Sequence, residues 1–257
     1  MKLPRFSRDK NDVSYISVDQ MEQITQKILD EKYGKDYIKE KVDIDFIAEF
    51  VLEFNLEPSY LSQNHHYLGM TVFNSSTEII TLDCDNLESV KRSDVRIISN
   101  RGNTILLDKF LYEDGNENLR RFTLAHECGH GFLHRRYFSI DEQQTTFLDE
   151  KPQFIACRRI DMGGTTYNRK RKIVSLNDKL EWQANTFASC ILMNREALTY
   201  YLAEAGLVHA NINDIIYGIS DHFGVSKAAA EVRLKVLGYF KDKFTNASNG
   251  LAKQIVF

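Results

Sequence analysis

The stretch Arg121–His134, R-F-T-L-A-H-E-C-G-H-G-F-L-H, limits what this chain can fold into more than any other part of it. Leu119, Phe122 and Ala125 recur at helical spacing and would press a helix into a core. The same helix then carries two imidazoles and a carboxylate. Buried polar groups of that kind need partners, and a buried charge needs a counter-charge. Residues four apart lie on one helical face about a turn apart, so His126 and His130 can converge on a single metal ion. Glu127 falls beside them, placed to touch a water on that metal without being a ligand itself. A Zn2+ held there would acidify the water, and Glu127 would take the proton as the water attacks a carbonyl.

Two imidazoles and a water leave one protein ligand to find. His134 is near in sequence, but on an unbroken helix it lies about 12 Å along the axis from His126. Both could hardly reach a zinc at ~2 Å, so His134 reads as a supporting or helix-end residue. Glu181 is the distant candidate. It opens a helical segment, E-W-Q-A-N-T-F-A, whose Ala184 and Ala188 would let it approach the His126 helix closely. An acidic residue is also favourable at a helix N-terminus without any ligand, and spacing leaves both readings open.

The rest of the chain frames this segment. With 43% hydrophobic residues, 13 Gly and 3 Pro, it can bury a core and is neither disordered nor collagen-like. Ser17–Lys32 predicts an amphipathic helix, with Met21, Ile24, Ile28 and Leu29 on one face and Gly34 as its stop. Asp43–Phe54 predicts a second, with Ile44, Ile47, Phe50, Val51 and Phe54 facing the core and Pro58 closing it. The period then changes. Met70–Phe73 and Ile79–Leu82 flank the turn-prone Asn74-Ser75-Ser76, and Val95–Ile98 and Thr104–Leu107 flank Asn100–Asn103, so two hairpins in a small, mainly antiparallel sheet are expected. Helices resume at Glu117–Leu133, at Leu180–Met193 entered through Ser175 or Asn177, and over Arg195–Phe240. The order helix, sheet, helices indicates an α+β fold rather than βαβ alternation. Its expected parts are an N-terminal helical region (1–60), a core (61–200) and a C-terminal helical region packed on it (201–257).

At this point a resemblance is specific. R-R-F-T-L-A-H-E-C-G-H at Arg120–His130, followed by E-W-Q-A-N-T-F-A-S-C-I-L-M at Glu181–Met193, resembles the ImmA/IrrE family of metallopeptidases, whose members show R-x-F-T-L-A-H-E-L-G-H and then E-x-x-A-N-x-F-A-x-x-L-L-M-P. The likeness extends over most of residues 40–240. It implies a zincin-like core, with His126, His130 and Glu181 as zinc ligands and Glu127 as the catalytic base. It also implies a protein substrate, a transcriptional repressor of the helix-turn-helix type. A non-cleaving metal-containing module that sequesters such a repressor is the alternative. Cys128 and Asn194 depart from the family pattern, at positions that are not ligands.

Other features carry less. A net charge of −3 and a pI near 6.2 give no general reason to expect nucleic-acid or membrane binding. The segment Phe223–Leu234 could be a turn and second helix of a DNA-binding unit, but it has few basic residues and Val225, Ala229, Val232 and Val236 suit core packing. Arg169–Lys172 reads as a solvated basic run and His65-His66 as a surface pair. Cys84, Cys128, Cys157 and Cys190 form no C-x-x-C pair and read as reduced thiols. No apolar run spans a bilayer, and Met1–Lys10 is basic without the apolar stretch of a secretory leader, so a cytoplasmic protein is expected. The tyrosines Tyr137, Tyr167, Tyr200 and Tyr201 are unranked as donors to an oxyanion.

Overall fold

A computed structural model describes residues 6–84, 87–138, 154–158, 175–207 and 210–239. The fold is α+β. Helix α1 (Val18–Tyr33) begins at a capping box, in which the Ser17 hydroxyl accepts from the Gln20 amide and the Gln20 side chain accepts from the Ser17 amide. Its apolar stripe of Met21, Ile24, Ile28 and Leu29 is fully buried, as the periodicity predicts. Helix α2 (Ile44–Phe46) starts at Asp43 and widens into a π-turn over Ile47–Val51. The expected helix to Phe54 is therefore cut short. The wider turn rotates Phe50 off the inner face, leaving it 69% exposed, while Phe54 still reaches the core.

The main sheet has the order β1-β5-β2-β6, formed by β1 (Asn55–Ser59), β2 (Tyr67–Val72), β5 (Thr104–Asp108) and β6 (Phe154–Arg158). Only the β1–β5 pair is parallel. Strands β3 (Ser75–Leu82) and β4 (Val95–Arg101) form a separate antiparallel ribbon. Neither expected hairpin exists, because β2 does not pair with β3, nor β4 with β5. Burial explains the exchange. Strand β5 is buried at every residue and sits between β1 and β2, whereas β3 and β4 leave Ile80 and Ile97 about two-thirds exposed (65% and 64%). Short links at Asn74 and at Gly102-Asn103 thus carry the chain between two sheets.

Both faces of the main sheet are covered. Ile105 and Leu107 point into the large helical core, and Leu106, Met70 and Val72 meet Ile79 of the ribbon on the other side. On the helical side lie α3 (Glu117–Leu133) and α5 (Leu176–Leu192), followed by α6 (Arg195–Glu204), α7 (Ile212–Phe223) and α8 (Lys227–Val236); the short α4 (Arg135–Phe138) follows α3. Ser175 caps α5 by accepting from the Asp178 amide. One apolar cluster draws residues from α1, α3, α5 and α8 together, so all three expected regions of the chain share a core. No helix among the described residues is long and apolar enough to cross a membrane.

Two buried arginines tie the chain ends to this core. Arg233 of α8, 1% exposed, donates to the Met193 carbonyl at 2.9 Å and to the Glu22 carboxylate of α1 at 2.6 Å. Arg121 of α3 donates to the Val42, Phe223 and Gly224 carbonyls. The basic groups of the α7–α8 segment are therefore engaged: Arg233 lies inside, Lys227 lies over the Tyr217 ring, and Lys235 pairs with Glu231.

Removing one member of a buried ion pair leaves the other uncompensated and costs about 3–5 kcal/mol. Arg233→Met is expected to lose stability on that scale in urea unfolding. The double variant Glu22→Leu/Arg233→Met is expected to be more stable than Arg233→Met alone. Equal stability of the single variant and the wild type would show that the pair does not hold α8 to α1.

Candidate metal and catalytic site

The site forms where α3 crosses α5. Gly129 makes the close crossing possible, since a Cβ there would stand 3.0 Å from the Ala184 Cα and 3.1 Å from the Phe187 Cβ. Small residues on α5 were expected to permit this approach; the partner on α3 is Gly129. With the helices this close, His126 Nε2 and His130 Nε2 are 2.9 Å apart, and the Glu181 oxygens lie 3.4 and 3.5 Å from them. The three donor atoms lie within 4.8 Å of one another, both imidazoles fully buried.

The far sides of the rings are held by partners that fix their tautomers. Gln183 Nε2 donates to the Ser14 carbonyl, which can only accept, so Gln183 Oε1 must be the acceptor for His134 Nε2–H at 2.9 Å. Burial drops the His134 pKa to about 4, keeping that ring neutral. Its Nδ1 is then an acceptor, and His130 Nδ1, 3.0 Å away, must donate to it. His126 Nδ1 faces Asn185 Oδ1 at 3.0 Å and donates likewise. Both networks turn an Nε2 lone pair toward Glu181. His134, the C-cap of α3, thus supports the His130 ring from behind.

Such an arrangement suits a cation. Burial opposes charge on His126, but the adjacent Cys157 and Glu181 outweigh burial and raise its pKa well above the ordinary value. His130 is driven well below that value, by burial first and then by His126 and His134. A dication would meet both lone pairs and balance the two carboxylates. Glu127 Oε1 and Glu181 Oε2 are moreover buried without a hydrogen-bond partner. These orphaned oxygens and the two imidazoles fit a bound metal, which would be held by His126, His130 and Glu181.

Glu127 occupies the sheet side of the helix. Its Oε2 accepts from the Thr71 hydroxyl at 2.6 Å, and that hydroxyl also lies 3.1 Å from the Glu127 carbonyl. Burial raises the Glu127 pKa to about 7, and the Glu181 charge adds to the effect against the pull of His126 and Thr71. Gly69 of β2 provides the space, for a Cβ there would meet Glu127 Oε1 at 2.6 Å and Cγ at 2.7 Å.

Residues 173–235 match the family model described as Peptidase_M78, IrrE N-terminal-like domain, which covers Glu181 and Asn185 but stops short of α3. Over this segment the chain is similar to that family. The matched family is one of metallopeptidases, which agrees with the candidate donor group at the α3–α5 crossing. The curated proteins compared contain no match to the chain.

Sequence reasoning did not single out Gly69, Thr71, Gln183, Asn185 or Cys157 for this site. Thr71 left a trace, being the one hydroxyl in the otherwise apolar run Leu68–Val72. Cys128 packs in the core, away from the donors, as its helical angle predicts. His65 is not a simple surface residue, since its Nδ1 pairs with buried Asp108 at 2.7 Å and its ring stacks on Phe110. Among the tyrosines, Tyr201 stacks on His222 and Tyr137 packs against Phe138; Tyr167 and Arg169–Lys172 lie outside the described residues.

Loss of a group that orients a metal-binding imidazole typically weakens metal affinity 10–100-fold. His134→Leu, which leaves His130 Nδ1–H without its acceptor, is expected to do so in a competition titration against a chromophoric chelator, with helix content unchanged. Unaltered affinity would remove His134 from the network.

Proposed function

We propose that the protein is a zinc-dependent endopeptidase that cleaves a protein partner, a helix-turn-helix transcriptional repressor, in the cytoplasm. The observation that carries this reading is the convergence of His126, His130 and Glu181 beside a buried carboxylate with an unpartnered oxygen. Two imidazoles and one carboxylate make a donor set suited to catalytic zinc. The repressor as substrate rests on the resemblance of the two motif blocks to the family.

When bound, zinc supplies a Lewis acid that acidifies a water and polarises the scissile carbonyl. The chain's residues do the rest. Asn185 and the His134–Gln183 pair hold the imidazoles in the ligating tautomer. Glu127, as carboxylate, takes the water's proton and later delivers it to the leaving amine. Thr71 fixes Oε2 of Glu127, which leaves Oε1 as the basic atom. The low-dielectric surroundings raise the Glu127 pKa above that of an ordinary carboxylate, which makes it a stronger base.

Glu127→Gln is expected to retain one metal per chain and to lose about 10²–10⁴-fold in cleavage of a helix-turn-helix substrate. Cleavage at the wild-type rate by that variant would sink the mechanism. The base must be ionised, so kcat/KM falls as pH drops through the Glu127 pKa, by about tenfold per unit. The metal's charge favours the carboxylate and draws that pKa down from about 7 toward the ordinary 4.5, which places the acid limb between those limits. Thr71→Val removes a hydrogen bond to the ionised form and should move the limb upward. A limb that stays in place on this substitution would show that Thr71 does not tune the base.

A further inference from the structure

Before α1 the chain makes a compact turn. The Asp9 carboxylate accepts from the Asn11 and Val13 amides, and the Val13 carbonyl accepts from the Asp9 amide at 3.0 Å. Two anchors fix this turn to the rest of the chain. Val13, 1% exposed, packs in a small apolar cluster with Phe73, Phe138, Ile155 and Leu180. Lys179 of α5 donates to Asp9 Oδ2 at 2.7 Å and to the Val13 carbonyl at 3.2 Å. Lys179 and Leu180 directly precede Glu181 in α5, so the turn is docked beside the donor group.

The turn ends on Ser14, whose carbonyl accepts from Gln183 Nε2 at 2.7 Å. That contact decides which way the Gln183 amide faces. With Nε2 engaged by Ser14, Oε1 meets His134 Nε2 at 2.9 Å, and the chain of donors runs on to the His134–His130 Nδ1 pair at 3.0 Å. When the Ser14 carbonyl is withdrawn, the amide loses the contact that selects this orientation. Reversed, it would offer N–H to His134 Nε2. His134 would then carry its proton on Nδ1 and donate to His130 Nδ1, and His130 would carry its own proton on Nε2. Neither ring changes its charge; only the tautomers differ. An Nε2 that bears a proton has no lone pair to give a metal.

We propose that the turn Asp9–Ser14 is a positioning element of the metal site, and that docking of the turn and binding of metal favour each other. The inference rests on the metal-site reading above. A docked turn selects the His130 tautomer that can ligate. A bound metal selects the same tautomer, and with it the Gln183 orientation that holds Ser14. Linkage makes the effect reciprocal, so the factor by which docking raises metal affinity is the factor by which metal favours docking. Lifting the turn therefore loosens the metal, through a segment that carries no ligand of its own.

Two measurements on the full chain test this. Val13→Asp places a charge in the apolar anchor and should drive the turn into water. Zn2+ affinity, read by competition with a chromophoric chelator, should then fall about 10–100-fold, the range for losing a group that orients a metal-binding imidazole. In the wild type, hydrogen exchange followed by mass spectrometry should show Zn2+ slowing exchange over residues 9–15. Ribbon β3–β4, which contributes nothing to the relay, should exchange as before. A turn that served stability alone would leave both the Zn2+ affinity of the folded chain and the metal dependence of its own exchange unmoved. Unchanged affinity in a folded Val13→Asp variant, or equal exchange of the turn with and without Zn2+, would overturn the proposal and leave the metal site standing. A wild-type chain that takes up no Zn2+ would defeat the metal-site reading itself. Should Val13→Asp not fold, the exchange experiment on the wild type decides alone.

Discussion

The contact between Gly129 and Ala184 sets how near α3 and α5 come, and the site depends on that separation. His126 and His130 are fixed one turn apart by the helix itself, but Glu181 reaches them only across the crossing. A side chain at either small residue would push the helices apart or force a shift costing about 1–3 kcal/mol, and Glu181 would lose its place beside the imidazoles. The main sheet acts from the other side. Gly69 and Thr71 of β2 receive Glu127, so that carboxylate is clamped between α3 and β2 while His126, His130 and Glu181 are clamped between α3 and α5. The two roles proposed for the H-E-x-x-H turn are separated by which neighbour each side chain meets.

The supporting residues come from far along the chain. The carbonyl of Ser14 orients Gln183, Gln183 orients His134, and His134 orients His130. Lys179 ties the same N-terminal stretch to α5 through Asp9 and the Val13 carbonyl. The segment before α1 therefore contributes to the site although it carries no ligand. At the other end, Arg233 and Arg121 bind the C-terminal helices to α1 and α3 through buried polar contacts. Arg121 leaves α3 five residues before His126, so the helix that bears the two imidazoles is also anchored to α7.

Much of this was legible in the sequence where short-range rules apply. Ser17 and Gly34 bound α1, Ser175 begins α5, and Glu117–Leu133 is a helix, because caps and periodic apolar stripes act within a few residues. Strand pairing was not legible. Turn signals at Asn74 and Asn100–Asn103 suggest hairpins, yet burial of β5 on both faces decides its neighbours, and burial is a property of the whole fold. The π-turn after Phe46 was also hidden, as nothing in Ile47–Val51 departs from an ordinary helical pattern. At the site, His126, His130 and Glu127 stood out by type and spacing, and Glu181 through the resemblance of its motif to the family. Thr71, Asn185 and Cys157 did not, because a lone hydroxyl, amide or thiol gains meaning only from what it faces.

The central claim is that one metal sits between α3 and α5 with Glu181 as its third protein ligand. Metal content of the purified chain after dialysis, measured for the wild type and for Glu181→Ala, tests it most directly. The account predicts one equivalent of metal per wild-type chain and a substoichiometric amount in the variant, with the fold intact by circular dichroism. A full equivalent retained by Glu181→Ala with undiminished affinity would contradict it.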